Sequence, residues 1–320
     1  MRNKIIRTGS FIPETKITNF DLEKIMDTSD TWIRQRTGIE SRYFSEAGAT
    51  EMGYQSALKA MEGIDVESID FLIVCTYTSD TFIPSCAHEI RAKLGIQRPI
   101  PAFDLNAACS GFVYGIHVAD AMMKTGIYKR ALVIGVDQNS RYLNFEDRST
   151  SILFGDGAGA VILESSHEVG IVSSSIFSET DTSSSIVSRN TTQTNNPFLK
   201  VDSSDPNFKM EGSTVFKFAV KSFKQCVSLV MNQHDVNSDD IDFVVAHQAN
   251  QRIIDTAAKM LRMPLEKFPT NLDKYGNTSA ASIPIVLDEL NRSGQLECGM
   301  KVILVAFGGG LSYGVSYLEW

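Results

Sequence analysis

The chain has 320 residues, a formal net charge of −8, and 43% apolar and 21% charged residues. That balance suits a soluble globular protein of two domains or one large α/β unit, and it disfavours binding to nucleic acid or an anionic membrane surface. Met1-Arg-Asn-Lys-Ile-Ile-Arg lacks a signal-peptide core and no apolar run reaches membrane-spanning length, so a cytoplasmic location is expected. The five cysteines (75, 86, 109, 226, 298) include no CxxC, and the five histidines show no metal-ligand spacing. Neither a disulfide framework nor a metal site is expected.

Ile5 to Ile12 reads as a strand ending at Pro13, and Thr18 or Asn19 can cap a short helix through Met26. Ser29 or Asp30 and Gly38 frame a second short helix carrying Trp32, Arg34 and Arg36. A tryptophan beside arginines could flank a planar anionic ligand such as a nucleotide. Equally, Trp32 could be a core anchor under solvated arginines, and the residues alone favour that second reading.

Thr50 to Met61 is helical, Ile69 to Tyr77 reads as a strand buried on both faces, and Ser85 to Leu94 is helical. Asp104-Leu-Asn-Ala-Ala-Cys-Ser-Gly-Phe-Val-Tyr-Gly then reads as strand, tight turn, helix, with Cys109 at the turn. A thiol at a helix N-terminus meets unpaired N–H groups and the positive end of the dipole, which favour the nucleophilic thiolate. The alternative is a buried structural cysteine.

Arg130 to Val136 is another buried strand. Ser151 to Glu164 contains G-x-G-x-G, but a strand-like run follows the glycines, so two strands joined by a glycine turn are expected rather than a dinucleotide loop. Residues 173 to 209 are rich in Ser, Thr, Asn and Asp and read as a long surface excursion, either a lid or a mobile loop. A helix over Thr214 to Gln233 follows.

The second half echoes the first. Gly63-Ile-Asp-Val-Glu-Ser-Ile-Asp-Phe-Leu-Ile-Val resembles His234-Asp-Val-Asn-Ser-Asp-Asp-Ile-Asp-Phe-Val-Val, and each enters a strand. A helix, a small-residue turn (105–111 and 276–282), another helix and a strand follow in each copy. A duplicated α/β fold is expected, with halves 1–170 and 171–320. Duplication would bring Cys109 toward Asn277. His247 ends the strand of the second copy, where open α/β sheets bind ligands. Cys109, His247 and Asn277 thus form a candidate site, although papain-like proteases use the same residue types. Taken singly, His247 could be a buried structural histidine and Asn277 a turn residue. Three glycines after the strand ending at Phe307 let the backbone approach a ligand, and one glycine N–H with that of Cys109 could form an oxyanion hole.

Several motifs together resemble the β-ketoacyl-acyl-carrier-protein synthase III family of the thiolase-like superfamily. They are Thr28-Ser-Asp-Thr-Trp-Ile with Arg36-Thr-Gly-Ile, Ala107-Ala-Cys-Ser-Gly-Phe, Asp147-Arg with Phe154-Gly-Asp-Gly-Ala-Gly, His247-Gln-Ala-Asn-Gln-Arg-Ile-Ile, Tyr275-Gly-Asn-Thr-Ser-Ala-Ala-Ser-Ile-Pro and Ala306-Phe-Gly-Gly-Gly. The resemblance spans essentially the whole chain. It implies a five-layered α-β-α-β-α fold, a homodimer, and no cofactor beyond the substrates, an acyl-coenzyme A and malonyl-acyl-carrier-protein.

The resemblance also implies roles. Cys109 would be acylated, the N–H groups of Cys109 and Gly309 would hold the oxyanion, and His247 and Asn277 would stabilise the enolate formed by decarboxylation of the malonyl group. Trp32 and Arg148 would sandwich the adenine, with Arg36 and Thr37 nearby and Asn250 on the pantetheine arm. Lys217, Arg252 and Lys259 would receive the acidic carrier protein. Ile83 stands where many members carry an aromatic residue at the acyl pocket, and Tyr313 where a tryptophan is common. The competing readings are a condensing enzyme of a specialised pathway with another acceptor, and a non-catalytic synthase subunit. A carboxylate beside Cys109, as a 3-hydroxy-3-methylglutaryl-type synthase requires, has no clear candidate in the sequence.

Overall fold

The computed structural model describes residues 2–189 and 205–320. Nine strands build its two main sheets: β1 (Arg2–Phe11), β2 (Phe71–Cys75), β3 (Ala102–Leu105), β4 (Arg130–Asp137), β5 (Gly157–Ser166), β6 (Gly170–Ser178), β7 (Phe243–Ala246), β8 (Lys301–Gly308) and β9 (Ser312–Glu319). The longer helices are α1 (Asp30–Thr37), α2 (Ala49–Ala60), α3 (Cys86–Leu94), α4 (Gly111–Lys124), α5 (Gly212–His234), α6 (Gln251–Leu261) and α7 (Ser282–Arg292).

The first sheet has the order β1-β5-β4-β2-β3 and the second β6-β9-β8-β7. The two orders superimpose strand for strand, apart from the missing counterpart of β3. The directions agree as well. β1/β5 and β6/β9 are antiparallel, β5/β4 and β9/β8 are antiparallel, and β4/β2 and β8/β7 are parallel. The internal repeat read in the sequence is therefore a repeat of topology.

Three apolar cores separate five layers. Helices α2 and α3 cover one face of the first sheet, through residues such as Met52, Ile90, Leu72 and Ile134. Helices α4 and α7 fill the space between the sheets, with Phe112, Ile116, Ile283 and Leu287 packed on Ile73, Val133 and Leu304. Helices α5 and α6 cover the far face of the second sheet. The central strands are buried on both faces, which is why they read as unbroken Val/Ile/Leu runs. This is the α-β-α-β-α arrangement that the resemblance implies.

Local chemistry sets the helix ends. Ser29 accepts the N–H of Trp32 at 3.1 Å and so caps α1, which stops at Gly38 with φ +82°. Two expectations need correction. The glycines of Gly155-Asp-Gly-Ala-Gly do not form a turn between strands, because Gly157 and Gly159 lie within the single strand β5. A Cβ on Gly159 would lie 2.8 Å from Pro284, so this strand is glycine-rich to let α7 close on it. The polar stretch 173–209 is not wholly an excursion either. Its start, through Ser178, is edge strand β6, and Ile186–Val187 pairs with Lys209–Met210. Residues 190–204 of that stretch lie outside the described residues.

Candidate active site

Cys109 sits in a single 3-10 turn, Ala108–Ser110, immediately before α4. Ala108 takes φ +47° to make that turn. The second half repeats the device: Ser279 takes φ +54° in the turn Ser279–Ala281 immediately before α7. The two turns meet, and the hydroxyl of Ser279 donates to Cys109 Sγ at 3.4 Å. Gly308, at the end of β8, leaves room for this junction. A Cβ there would lie 2.9 Å from both the backbone N and the Cβ of Cys109.

One cavity of about 440 Å³ is lined by Cys109, His247 and Asn277 and also by Trp32, Arg36, Thr37 and Asn250. Apolar side chains complete its wall, among them Phe154, Ile186, Phe208, Phe218 and Phe307. The sequence-predicted nucleophile, its two partners and most of the expected coenzyme A contacts thus share one enclosure.

His247 follows β7 and is buried, with the Phe307 ring against its imidazole at 5.3 Å. Burial pushes its pKa down to about 3, so the imidazole is neutral. Ser282 Oγ lies 2.8 Å from Nδ1 and also accepts the N–H of Gln248 at 3.3 Å. The Ser282 hydroxyl thus engages Nδ1 and holds the plane of the ring, and Nε2 is the ring nitrogen left without a partner among the described residues. Asn277 is fixed in a comparable way. Its Oδ1 accepts the N–H of Ser279 at 2.9 Å, so Nδ2 is the amide atom left to donate elsewhere. Its backbone N–H donates to Leu153 O at 2.8 Å, and its carbonyl accepts the N–H of Gly155 at 3.0 Å.

The thiol itself departs from expectation. Its position before a helix favours thiolate, yet burial pushes it up to about 12, the Ser279 hydroxyl pulls it down and Asp137 adds to the rise. Desolvation is the largest influence on this half-buried thiol. Asp137 also supplies the carboxylate beside Cys109 that the sequence did not reveal. Burial pushes this carboxyl up to about 6. It accepts from the Thr76 and Thr78 hydroxyls and from the N–H groups of Tyr77 and Ala280. Those bonds tie together the strand ends, and Asp137 is not among the residues lining the cavity.

The remaining predicted residues divide. Arg148 and Arg36 place their guanidinium carbons 5.0 Å and 5.8 Å from the Trp32 ring centroid, although Arg148 does not itself line the cavity. Trp32 is thus neither a plain core anchor nor free of its arginines. Thr37 donates to Ile33 O at 2.7 Å and accepts from Ile39 at 3.0 Å, so its hydroxyl closes α1. Asn250 caps α6 through Arg252 N at 2.9 Å and donates to Arg36 O at 3.2 Å, joining α6 to α1. Lys217, Arg252 and Lys259 are exposed on α5 and α6, and none makes a salt bridge among the described residues.

Two residues lie elsewhere than expected. Gly308 rather than Gly309 lines the cavity. Ile83 is 92% exposed and is not part of the cavity wall of its own chain. It lies on the Thr81–Pro84 turn, outside the sheets, because the chain must reverse there between β2 and α3. Tyr313 stacks on Phe177 at 5.1 Å and meets the edge of Phe218, which does line the cavity. Ser279, Ser282 and Asp137 were missed, since each acts through contacts made across the two halves or between strand ends. Among the described residues no group of three His, Cys, Asp or Glu side chains could hold a metal ion.

Comparison with known proteins agrees with this geometry. Residues 103–180 match the family model for 3-oxoacyl-[acyl-carrier-protein] synthase III, and residues 231–320 match the model for its C-terminal region. The β-ketoacyl-[acyl-carrier-protein] synthase III of Clostridium acetobutylicum is 43% identical over 99% of this chain and 98% of its own length. The Pasteurella multocida protein of the same name is 44% identical over the full length of both. This chain belongs to the 3-oxoacyl-[acyl-carrier-protein] synthase III family. Among solved structures, the family member from Aquifex aeolicus superimposes with a TM-score of 0.92 at 38% identity, covering 99% of this chain and 100% of its own. The priming β-ketosynthase of the R1128 polyketide pathway gives 0.92 at 30% identity, covering 99% and 96%.

Proposed function

We propose that the protein condenses an acyl-coenzyme A primer with malonyl-acyl-carrier-protein, giving a 3-oxoacyl-acyl-carrier-protein and carbon dioxide at the start of fatty acid synthesis. The observation that carries this reading is the single cavity lined by Cys109, a neutral His247 and Asn277. Cys109 Sγ attacks the thioester carbonyl. The C–S bond to coenzyme A breaks, and the thiol proton of Cys109 ends on the departing coenzyme A. The N–H of Cys109, with that of Gly309 directly after the cavity-lining Gly308, holds the oxyanion.

The malonyl thioester then enters. His247 Nε2 and Asn277 Nδ2 donate to its thioester oxygen as the C–C bond to carbon dioxide breaks and negative charge develops there. A neutral donor pair suits this step, because decarboxylation generates the carbanion without removal of a proton. The carbanion attacks the acyl carbonyl, and collapse of that intermediate expels the Cys109 thiolate, which regains a proton.

Trp32 and Arg148 sandwich the adenine of coenzyme A, with Arg36 and Thr37 nearby, and Asn250 contacts the pantetheine arm. The pairing of an aromatic face with two guanidinium groups supports that assignment. Lys217, Arg252 and Lys259 receive the carrier protein. The protein acts as a homodimer of chains divided near residue 170. Phe82 and Ile83, 82% and 92% exposed on one turn, support a second copy covering them. In such a dimer, an acyl-pocket role for Ile83 is a role in the partner's pocket.

Intact-mass spectrometry tests the reading. The protein is incubated with acyl-coenzyme A esters from acetyl through branched C4–C5 to octanoyl, then with malonyl-acyl-carrier-protein. The expected result is a one-acyl gain that Cys109→Ala abolishes and the malonyl partner discharges. No gain with any ester would refute an acyl-coenzyme A primer.

A further inference from the structure

Among the described residues, one fully buried hydroxyl outside the Cys-His-Asn set touches the nucleophile. Ser279 Oγ lies 3.4 Å from Cys109 Sγ as donor. The residue holds φ +54°, a conformation that a non-glycine residue keeps only when its surroundings over-determine it. Here the surroundings do so. The N–H of Ser279 donates to Asn277 Oδ1 at 2.9 Å, and the next N–H, of Ala280, donates to Asp137 Oδ2 at 3.2 Å. The serine is thereby pinned between the residue that takes the acyl group and a residue that serves decarboxylation.

We propose that Ser279 is a positioning residue for both half-reactions, its hydroxyl donating to the Cys109 sulfur as the thiolate forms and its backbone N–H orienting Asn277. The inference rests on the condensing reading above. A hydrogen bond to a charged acceptor is stronger than one to a neutral acceptor, so the hydroxyl favours thiolate over thiol. Three other titratable groups of the described residues face Cys109. Asp137 comes from the end of β4 and opposes the thiolate. Tyr77, after β2, is kept neutral by burial. His247, after β7, is neutral. Of these, none donates to the sulfur; the Ser279 hydroxyl, which Asp137 also draws on, is the larger of two contacts that offset desolvation, the other being the Cys109 N–H. The division of labour is specific: the side chain serves acylation, whereas the backbone serves decarboxylation.

Ser279→Gly separates the two. It removes the hydroxyl, keeps the N–H to Asn277, and relieves rather than strains φ +54°. Alkylation of Cys109 by iodoacetamide is followed from pH 6 to 9, alongside acyl loading by mass and carbon dioxide release from malonyl-acyl-carrier-protein by fully loaded enzyme. The expected result is a log rate–pH line for alkylation displaced by about one unit to higher pH, which is about tenfold slower at each pH. Loading falls about tenfold and carbon dioxide release stays within about twofold of the parent. Ser279→Ala, which retains the Cβ, gives the same displacement. An undisplaced line overturns the proposal, as does an equal fall in both half-reactions or a disagreement between the glycine and alanine variants. Failure of the parent protein to load any acyl group would refute the condensing reading instead, since alkylation requires no acyl-coenzyme A and still tests the hydroxyl.

Discussion

Ser282 Oγ and His247 Nδ1 lie 2.8 Å apart, and the serine oxygen also accepts the N–H of Gln248 at 3.3 Å. The pair holds the plane of a neutral imidazole, and the donor role proposed for Nε2 requires that the serine donate to Nδ1. Ser282→Ala frees the ring to adopt the other tautomer, which presents a lone pair to the enolate oxygen. Carbon dioxide release is expected to fall about tenfold, the factor that about 1.4 kcal/mol of lost orientation produces. Acyl loading should be unchanged. Pre-loaded enzyme, assayed for carbon dioxide alone, distinguishes the two steps.

Neutral His247 also makes stability depend on pH. Burial pushes the group down to about 3, against about 6.5 for an unfolded-chain histidine. Below about pH 6.5 the unfolded state binds a proton that the native state refuses. The stability due to His247 is therefore full above that pH and is lost as pH falls toward 3. Asp137 and Asp156, both pushed up to about 6 by burial, act in the opposite sense, because the native state takes up their protons first. Comparison with His247→Asn cancels those carboxyls. Between pH 7 and pH 5 the parent is expected to lose about 2 kcal/mol relative to the variant by denaturant unfolding. A difference that stays constant across that range would mean His247 titrates normally in the fold.

The large features of the fold were legible because they rest on local patterns. Unbroken apolar runs such as Phe71–Cys75 marked strands buried on both faces, and Ser29 and Gly38 marked the ends of α1. The repeat located the meeting of the two turns, and with it Cys109 and Asn277. What escaped was chemistry created by tertiary contact. The helix terminus before which Cys109 lies predicts a lowered thiol, but the amount of protein packed around it is not written in residues 104–115. Asp137 directly follows the strand read over Arg130 to Val136, and nothing in its neighbours in sequence marks it. Its partners come from Thr76–Thr78 and Ala280, far apart in the chain. Ile83 was placed by the resemblance in an acyl pocket, and one chain alone leaves it exposed.

Gly308 is extended, with φ −173°, so space rather than dihedral angle demands glycine there. A methyl group 2.9 Å from the backbone N and Cβ of Cys109 would displace the nucleophile. Gly308→Ala is expected to lower acyl loading about 10²-fold, as small misplacements of reacting groups do. Overpacking should also cost about 1–3 kcal/mol of stability. Gly310 is the control: it has φ +70° and open space around it. Gly310→Ala should lose about 1 kcal/mol through backbone strain and load normally. Equal loading by the two variants would contradict the close approach at Gly308.

Trp32 presents its ring to Arg148 and Arg36, and all of its expected function concerns the adenine end of coenzyme A. Trp32→Ala should raise the half-saturating acyl-coenzyme A concentration about tenfold, since stacking on a base contributes about 1–3 kcal/mol. The loading rate at saturation should hold. Acyl-pantetheine, which lacks the nucleotide, should load equally well on both proteins. A defect with acyl-pantetheine would place Trp32 in the architecture of the cavity instead.

Lys217, Arg252 and Lys259 are exposed cations on α5 and α6 of a net-acidic chain. Arg252 lies 5.8 Å from the Phe216 ring, and Phe216 lines the cavity, so Arg252 borders the enclosure that holds Cys109. An acidic partner drawn to exposed charges should bind less well as salt screens them. Reversal of any one of the three to glutamate is expected to raise the KM for malonyl-acyl-carrier-protein about tenfold at low ionic strength, with a smaller effect at 0.5 M salt. Loading from acyl-coenzyme A should not change. Steady-state rates across a salt series check this. A loss that is independent of salt, or one shared with the loading step, would show that these residues shape the cavity mouth and do not receive the carrier.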